Sequence, residues 1–401
     1  MKLKLALVSA FPPGRHSLNE YGLHLAREMA ARTDVSEVVV LADQLTEEAP
    51  ELVLGPKVRV VRCWSFNSVT AGVSILTALK REGVDAAIWN VQTATFGDRE
   101  APAALGLMAP AVARLLGTPG GVIAHNILAG IDLDSTQLKG QRIRQAVVRA
   151  AGPVVTRAML AATYTTVTLR SYADHLGAAF PKAEVHLVPH GTFDTDKRDM
   201  ARIESRARRI VTMGKFGTYK RLETLLAAFD MLRKDPAFAN YELVIGGSDH
   251  PNAKGYMASV EAARADDPGV NFHGYVAEDD VPAFFGNARV SVFDYSATTG
   301  SSGVLHQTAC YGAVPVFPAI GDFVDVCRDE GLAGANYAPE NASEMAGAMR
   351  RILGDPTEAN RLAKANKEAS MELPLSKVVE FHVDRLRRAI RPRVRQVPQT
   401  V

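Results

Sequence analysis

The sequence predicts an α/β protein made of two doubly wound, parallel-sheet (Rossmann-like) domains facing each other across a cleft. Three observations predict it. Apolar, strand-like runs alternate with helix-like runs along most of the chain, the signature of right-handed βαβ units. The alternation pauses once, over the charged stretch DTDKRDMARIESRARR at 194–209, and then restarts. Finally, 401 residues are more than one ordinary core accommodates, so two domains are expected.

The elements follow in order. In the first half KLALVSAF, EVVVLAD, VRVVRCW, DAAIWN, GGVIAHN, YTTVTL and EVHLVPHG read as strands. Between them EYGLHLAREMAART, SVTAGVSILTALKREG and SYADHLGAAF read as helices. In the second half RIVTMG, YELVIGG, VNFHGYV, ARVSVFDY and GAVPVF read as strands, with RLETLLAAFDMLRK a helix. The charged stretch is expected to be the linker, which divides the chain into 1–195 and 196–375.

Composition narrows the function classes. Hydrophobic residues are 47% and charged residues 22%, as in an ordinary folded protein. A net charge of +2 offers no global field for nucleic acid. Cys63, Cys310 and Cys327 lie far apart without a CxxC pair, which points to reduced thiols, a cytoplasmic protein and no structural zinc. The opening MKLKLALVSAFPP has too short an apolar run for a leader peptide and reads as a first strand. Residues 101–116, the most apolar long segment, contain two prolines and Arg114 and are too broken to span a bilayer.

Four stations carry chemistry. In TTGSSGVLHQTACYGAVPVF (298–317) the small residues Gly300, Ser301, Ser302 and Gly303 lie between a strand and a helix that starts near Ser302–Gly303. The free N–H groups and dipole of that helix end suit an anion, and small residues let it approach the backbone. A bare strand-to-helix turn explains the spacing equally well. In MGKFGTYKRLE, Lys215 and Lys220 sit in the loop after a strand, where two ammonium groups can offset charge growing on a phosphate. Taken alone, two solvated surface lysines are the commoner arrangement. In GVIAHNIL, His125 ends a buried strand and faces the cleft, although most lone histidines are merely hydrogen-bonded. FPPGRHSLNEYG (11–22), the first strand-to-helix loop, is a further candidate ligand loop.

Taken together and in this order, the four stations resemble the retaining GT-B glycosyltransferases of the family 4 (glycosyl transferases group 1) type, over nearly the whole chain. Gly214-Lys215-x4-Lys220 resembles the family's Gly-Arg-x4-Lys. Gly274-Tyr275-Val276 resembles its G-x-V turn, Ala309 to Pro315 its AxxxGxxP stretch, and VPHGTFD (188–194) its IPNGVD segment. His125 matches the family's active-site histidine. Two departures stand out. The family's Glu-x7-Glu pair falls at Thr299 and Gln307, and its first-loop Gly-Gly pair falls at His16-Ser17. By analogy the last helices, within 376–401, return to the first domain.

The resemblance implies transfer of a hexose from a nucleotide-diphosphate sugar, UDP- or GDP-linked, to a hydroxyl acceptor with retention. The acceptor class is a saccharide, a lipid-linked molecule or a small hydroxyl compound. No cofactor is implied beyond the sugar-nucleotide co-substrate, and no metal. In this reading His125, Lys215 and Lys220 are catalytic. Thr299, Gly300, Ser301, Ser302, Gly303 and Val304 hold the donor diphosphate and sugar. Gly274, Tyr275, Val276 and Gln307 hold the nucleoside, and Gly14, His16 and Ser17 contact the donor from the first loop. Other readings stay open: a non-catalytic sugar-nucleotide-binding or regulatory protein, or another GT-B enzyme such as a sugar-nucleotide epimerase or a phosphorylase. Basic residues Lys139, Arg142, Arg144, Arg149 and Arg157 among apolar ones, and the basic tail DRLRRAIRPRVRQV, suit peripheral contact with an anionic membrane face. A solvated helix face and a frayed end account for them as well.

Overall fold

A computed structural model describes residues 2–14, 16–47, 49–50, 52–128, 140–193, 199–297 and 300–390. The first part of the chain runs β1 (Leu3–Val8), α1 (Asn19–Ala31), β2 (Val35–Asp43), β3 (Val58–Trp64), α2 (Ala71–Glu82), β4 (Ala86–Val91) and α3 (Glu100–Leu115). It continues through β5 (Gly120–Ala124), α4 (Arg142–Leu160), β6 (Tyr164–Val167), α5 (Arg170–Ala179) and β7 (Val185–Leu187). These seven strands form one sheet in the order β3-β2-β1-β4-β5-β6-β7, every described pair parallel.

The second part runs β8 (Arg209–Phe216), α6 (Glu223–Arg233), β9 (Glu242–Asp249), α7 (Tyr256–Ala262), β10 (Val270–Gly274), α8 (Val281–Gly286) and β11 (Val290–Val292). Then come α9 (Gly303–Tyr311), β12 (Val314–Pro318), α10 (Gly321–Glu330), β13 (Ala335–Tyr337), α11 (Ala342–Gly354) and α12 (Pro356–Glu372). Its sheet has the order β10-β9-β8-β11-β12-β13, again parallel. Strands such as β4, β5 and β12 are buried along their whole length, because helices cover both faces of a parallel sheet.

Each sheet reverses its strand order once, between β1 and β4 and between β8 and β11. In open α/β sheets the crevice beyond the carboxyl ends at such a reversal is where ligands bind. The loop beyond β11, at the second reversal, reaches the end of β5 in the first sheet, where a β-carbon on Gly300 would lie 2.1 Å from the His125 carbonyl oxygen.

α13 (Leu375–Ala389) leaves the second sheet and packs on the first part of the chain. Leu375, Val378, Val379, Val383 and Leu386 join the core formed by β1, β2 and α1, and the Tyr164 hydroxyl lies 2.8 Å from His382 Nδ1.

The charged stretch departs from the expectation of a plain linker. Residues 194–198 lie outside the described residues, but Ile203 is buried in the second core. Arg206 is buried too, donating from Nη1 to the carbonyls of Gly312 (2.7 Å) and Ala288 (3.1 Å). A guanidinium supplies several donors at fixed angles, so it can bury itself against otherwise unpaired carbonyls.

Four polar contacts among the described residues help close the seam. His24 Nε2 and Arg27 Nη1 of α1 meet Glu278 Oε1 at 2.7 and 3.1 Å. The Tyr172 hydroxyl of α5 donates to Asp322 Oδ2 of α10 at 3.1 Å. Arg170 pairs with Asp329 at 3.3 Å.

Candidate functional site

On the first domain's side, the site is built around Asn90, fully buried on β4. Its Nδ2 donates to Ser9 Oγ (2.9 Å) and to the Leu18 carbonyl (3.3 Å). That fixes the amide so that Oδ1 faces His125 Nε2 at 2.7 Å, and the ring donates from Nε2. His125, one residue beyond β5, is 7% exposed. Burial pushes its pKa down to about 3, so the ring is neutral and Nδ1 keeps its lone pair. The edge of Tyr21 packs against it, centroids 4.6 Å apart.

The first loop is organised by Asp43, a buried carboxylate at the end of β2. It accepts from the Phe11 amide (3.0 Å) and His16 Nδ1 (2.6 Å). Arg62 ties the same corner by donating to the Asp43 and Pro12 carbonyls at 2.6 and 2.8 Å. His16 stacks on Phe66 at 4.5 Å. Gly14 lies against Phe11 and Asp43, while Ser17 is exposed.

On the second domain's side, Lys215 falls inside β8 rather than in the loop that follows, and Lys220 lies in that loop. Lys220 Nζ stands 4.5 Å from the Tyr295 ring centroid and 5.7 Å from that of Tyr219, with its stem over Gly214. Both lysines act on His250, just past β9: burial lowers its pKa, and Lys215 and Lys220 lower it further. His250 is held by its amide on the Phe216 carbonyl (2.8 Å) and by the Asn252 amide donating to Nδ1 (3.2 Å). Across the cleft, desolvation raises the Glu20 carboxyl and Lys215 opposes the rise. The two lysines therefore converge on the reversal point of the second sheet, opposite α1.

The β11–α9 loop closes the site. Ser302 caps α9, its Oγ accepting from the Leu305 amide at 3.4 Å. Gly300 has φ 116°, a conformation glycine adopts without strain. A β-carbon there would lie 2.1 Å from the His125 carbonyl oxygen, so the loop presses directly on the end of β5. The Gly300 amide donates to Asp322 Oδ2 at 3.1 Å. The Ser301 hydroxyl is buried without a protein partner. Gly303 begins α9 beside the His190 ring, and Val304 packs into the adjacent core. Gln307 follows one turn on, half-buried. Thr299 lies outside the described residues.

The G-x-V turn lies at the carboxyl end of β10. Gly274 has φ 75°, Tyr275 is 69% exposed, and Val276 is buried against Gly246 of β9. Sequence reasoning missed Asn90, His250, His190, His306 and Glu330. Position alone could have drawn attention to four of them: Asn90 near the carboxyl end of β4, His190 and His250 beyond strand ends, and His306 in the helix after the small-residue loop. Glu330, the last residue of α10, carries no such signal.

Residues 207–355 match the family described as "Glycosyl transferases group 1". No curated relative matches the chain by sequence. Among solved structures, the sucrose-phosphate synthase of Thermosynechococcus elongatus superposes with a TM-score of 0.74 at 17% identity, covering 97% of this chain and 99% of that one. The Anabaena protein HepE in complex with UDP and glucose gives 0.66 at 12% identity, covering 96% and 98%. WaaG, a glycosyltransferase involved in lipopolysaccharide biosynthesis, gives 0.64 at 13% identity, covering 95% and 98%. Residues 207–355 thus match the group 1 glycosyltransferases in sequence, and the whole chain shares the GT-B fold of these solved structures.

Proposed function

We propose that the protein transfers a hexose from a nucleotide-diphosphate sugar, UDP- or GDP-linked, to a hydroxyl acceptor with retention of anomeric configuration. The observation that carries this reading is the Ser301 hydroxyl, buried and unpartnered in a small-residue loop at the start of α9. That loop lies at the sheet reversal on which Lys215 and Lys220 converge. A buried hydroxyl without a partner is costly unless a ligand or water completes it. The cations and helix N-terminus beside it select a polyanion.

In the reaction, the bond between the anomeric carbon and the β-phosphate oxygen breaks as the acceptor oxygen bonds to that carbon on the same face. The acceptor's proton passes to the departing phosphate oxygen, leaving a glycoside and a nucleoside diphosphate. Lys215, Lys220 and the amides from Ser301 to Val304 stabilise the charge that develops on the leaving group. Neutral His125 adds no charge beside the cationic anomeric centre, and its Nδ1 lone pair can accept from a sugar hydroxyl. Gly274, Tyr275 and Val276 border the base, Gln307 reaches a ribose hydroxyl, and Gly14, His16 and Ser17 border the donor from the first loop. The charge balance is supplied by side chains and amides, with no metal in the proposed step.

Acceptors belong to the first domain. There α4 exposes Ile143 (83%), Val147 and Val154 alongside Arg142, Arg149 and Arg157. Lys139 and the tail beyond 390 lie outside the described residues, as does the Arg144 side chain. No helix among the described residues is long and apolar enough to cross a membrane. This apolar and basic face suits peripheral contact with an anionic bilayer that presents a lipid-linked acceptor.

A donor screen that follows nucleotide release, with and without acceptors, tests the reading. Release that requires an acceptor supports transfer. Release without one points to an epimerase, and binding without release to a regulatory protein. The absence of a carboxylate at Gln307 is the observation that keeps the binding protein as the second reading.

A further inference from the structure

The β11–α9 loop rests on a buried ion pair that the reaction described above does not use. His306, in the first turn of α9, has both ring nitrogens against acceptors. Nδ1 lies 2.8 Å from the Ser302 carbonyl oxygen and Nε2 lies 2.6 Å from Glu330 Oε2. Both side chains are only 4% exposed. A carbonyl and a carboxylate accept and do not donate, so the ring satisfies both only as an imidazolium. Desolvation works against the charge, but Glu330 and the Ser302 carbonyl outweigh it and raise the ring's pKa above its ordinary value.

The imidazolium also bridges the seam. Its face stacks on His190 of the first domain, with centroids 4.8 Å apart and planes 19° from parallel. His190 is neutral: burial drives its pKa well down, and His306, His125 and His24 add to the effect. The same His190 ring stands 3.5 Å from the place a β-carbon on Gly303 would occupy. One ring stack therefore sets Ser302, Gly303 and His306 against the first domain. The buried positions of α8 and α12, which pack on α9, carry no charged side chain among the described residues. Glu330 further lines a cavity of about 160 Å³ in the seam, with Thr168, Arg170 and Asp329. The Thr168 hydroxyl there has no protein partner, so the cavity beside the pair is polar enough for water.

We propose that His306 is a positioning residue of the donor site: clamped between Ser302 and Glu330 and stacked on His190, it fixes the turn that presents the Gly303 and Val304 amides to the diphosphate. This rests on the donor reading above. Donor affinity is thereby tied to one proton. The clamp is intact below about pH 6.5 and is released as the pH rises through the raised value of His306, where a neutral ring can serve only one of its two acceptors.

The test is calorimetric titration of UDP and of GDP into the full-length protein and its H306Q and E330Q variants between pH 6 and 9. Alongside it, imidazole ¹H–¹⁵N spectra of the unliganded wild type are recorded, with H306Q assigning the signal. Expected are a doubly protonated His306 at pH 6, wild-type affinity that falls about tenfold toward pH 9, and weaker binding with a flatter pH profile in both variants. A neutral His306 at pH 6 overturns the inference, and so does H306Q or E330Q binding with the wild-type affinity and pH profile. Failure of the donor reading looks different: neither nucleotide binds the wild type at any pH. That ends the positioning role too, while an intact imidazolium signal leaves the ion pair standing.

Discussion

Gly300 and His125 meet across the domain seam with no room between them. A β-carbon on Gly300 would stand 2.1 Å from the His125 carbonyl oxygen, and the loop holds φ 116° to make the contact. Gly300→Ala is therefore expected to push the β11–α9 loop off β5. Turnover should fall by about tenfold or more, because small displacements of a positioning loop are costly. Steady-state kinetics beside a denaturation curve checks this; unchanged kcat and KM in a folded variant would count against the closed seam as the working geometry.

Lys220 approaches the Tyr295 ring and, with Lys215, acts on His250. Lys220→Ala should cost roughly 3 kcal/mol of transition-state stabilisation, seen in kcat/KM. Turnover within about threefold of wild type would reject a leaving-group role for this ammonium.

His125 and His382 are both buried neutral, each pushed down to about 3 by loss of solvent, with His186 adding slightly at His382. Unfolding frees both rings to take protons below their ordinary value, so the unfolded state binds more protons there. Stability should thus decline as pH falls from about 6.5 toward 3, with a slope of up to about 1.4 kcal/mol per pH unit for each ring. Urea midpoints across pH 4 to 7 measure the slope. His382→Gln, which leaves the proposed site untouched, should flatten it; an identical slope in the variant would contradict the assignment.

Arg206 fills the Gly312 and Ala288 carbonyls from the inter-domain segment. Arg206→Met should destabilise by about 2–4 kcal/mol, because it strands buried acceptors. Equilibrium unfolding is the measurement, and a loss under about 0.5 kcal/mol would show that the contacts are readily replaced.

The exposed Ile143 and Val147 of α4 lie beside Arg142 and Arg149. If this face meets anionic lipid, the wild type should co-sediment with phosphatidylserine-containing vesicles at low salt and less at moderate salt. Replacing Ile143 and Val147 with Glu should abolish it. No sedimentation of the wild type at low salt would remove the membrane from the account.

The parallel sheets could be read in advance because their strands are buried on both faces and stand out as apolar runs such as GGVIA and ELVIGG. β13 escaped because it is three residues long and centred on Asn336. The small-residue loop was visible as composition, and the start of α9 fell where the cap at Ser302 places it. The groups that orient the site were not visible. Asn90 reaches His125 across 35 positions, and Glu330 reaches His306 across 24. Such pairings leave no local period, so only the fold reveals them. Burial of the Arg206 guanidinium was hidden for the same reason: a charged run looks solvated until the carbonyls it serves are placed around it.

The return of α13 to the first sheet has a consequence for how the chain matures. Residues that complete the first hydrophobic core, Leu375 through Leu386, are synthesised after the entire second sheet. The earlier-made half therefore waits, partly uncovered, while the later-made half folds between its two parts, and nascent chains halted before Leu375 are where chaperone demand should be greatest.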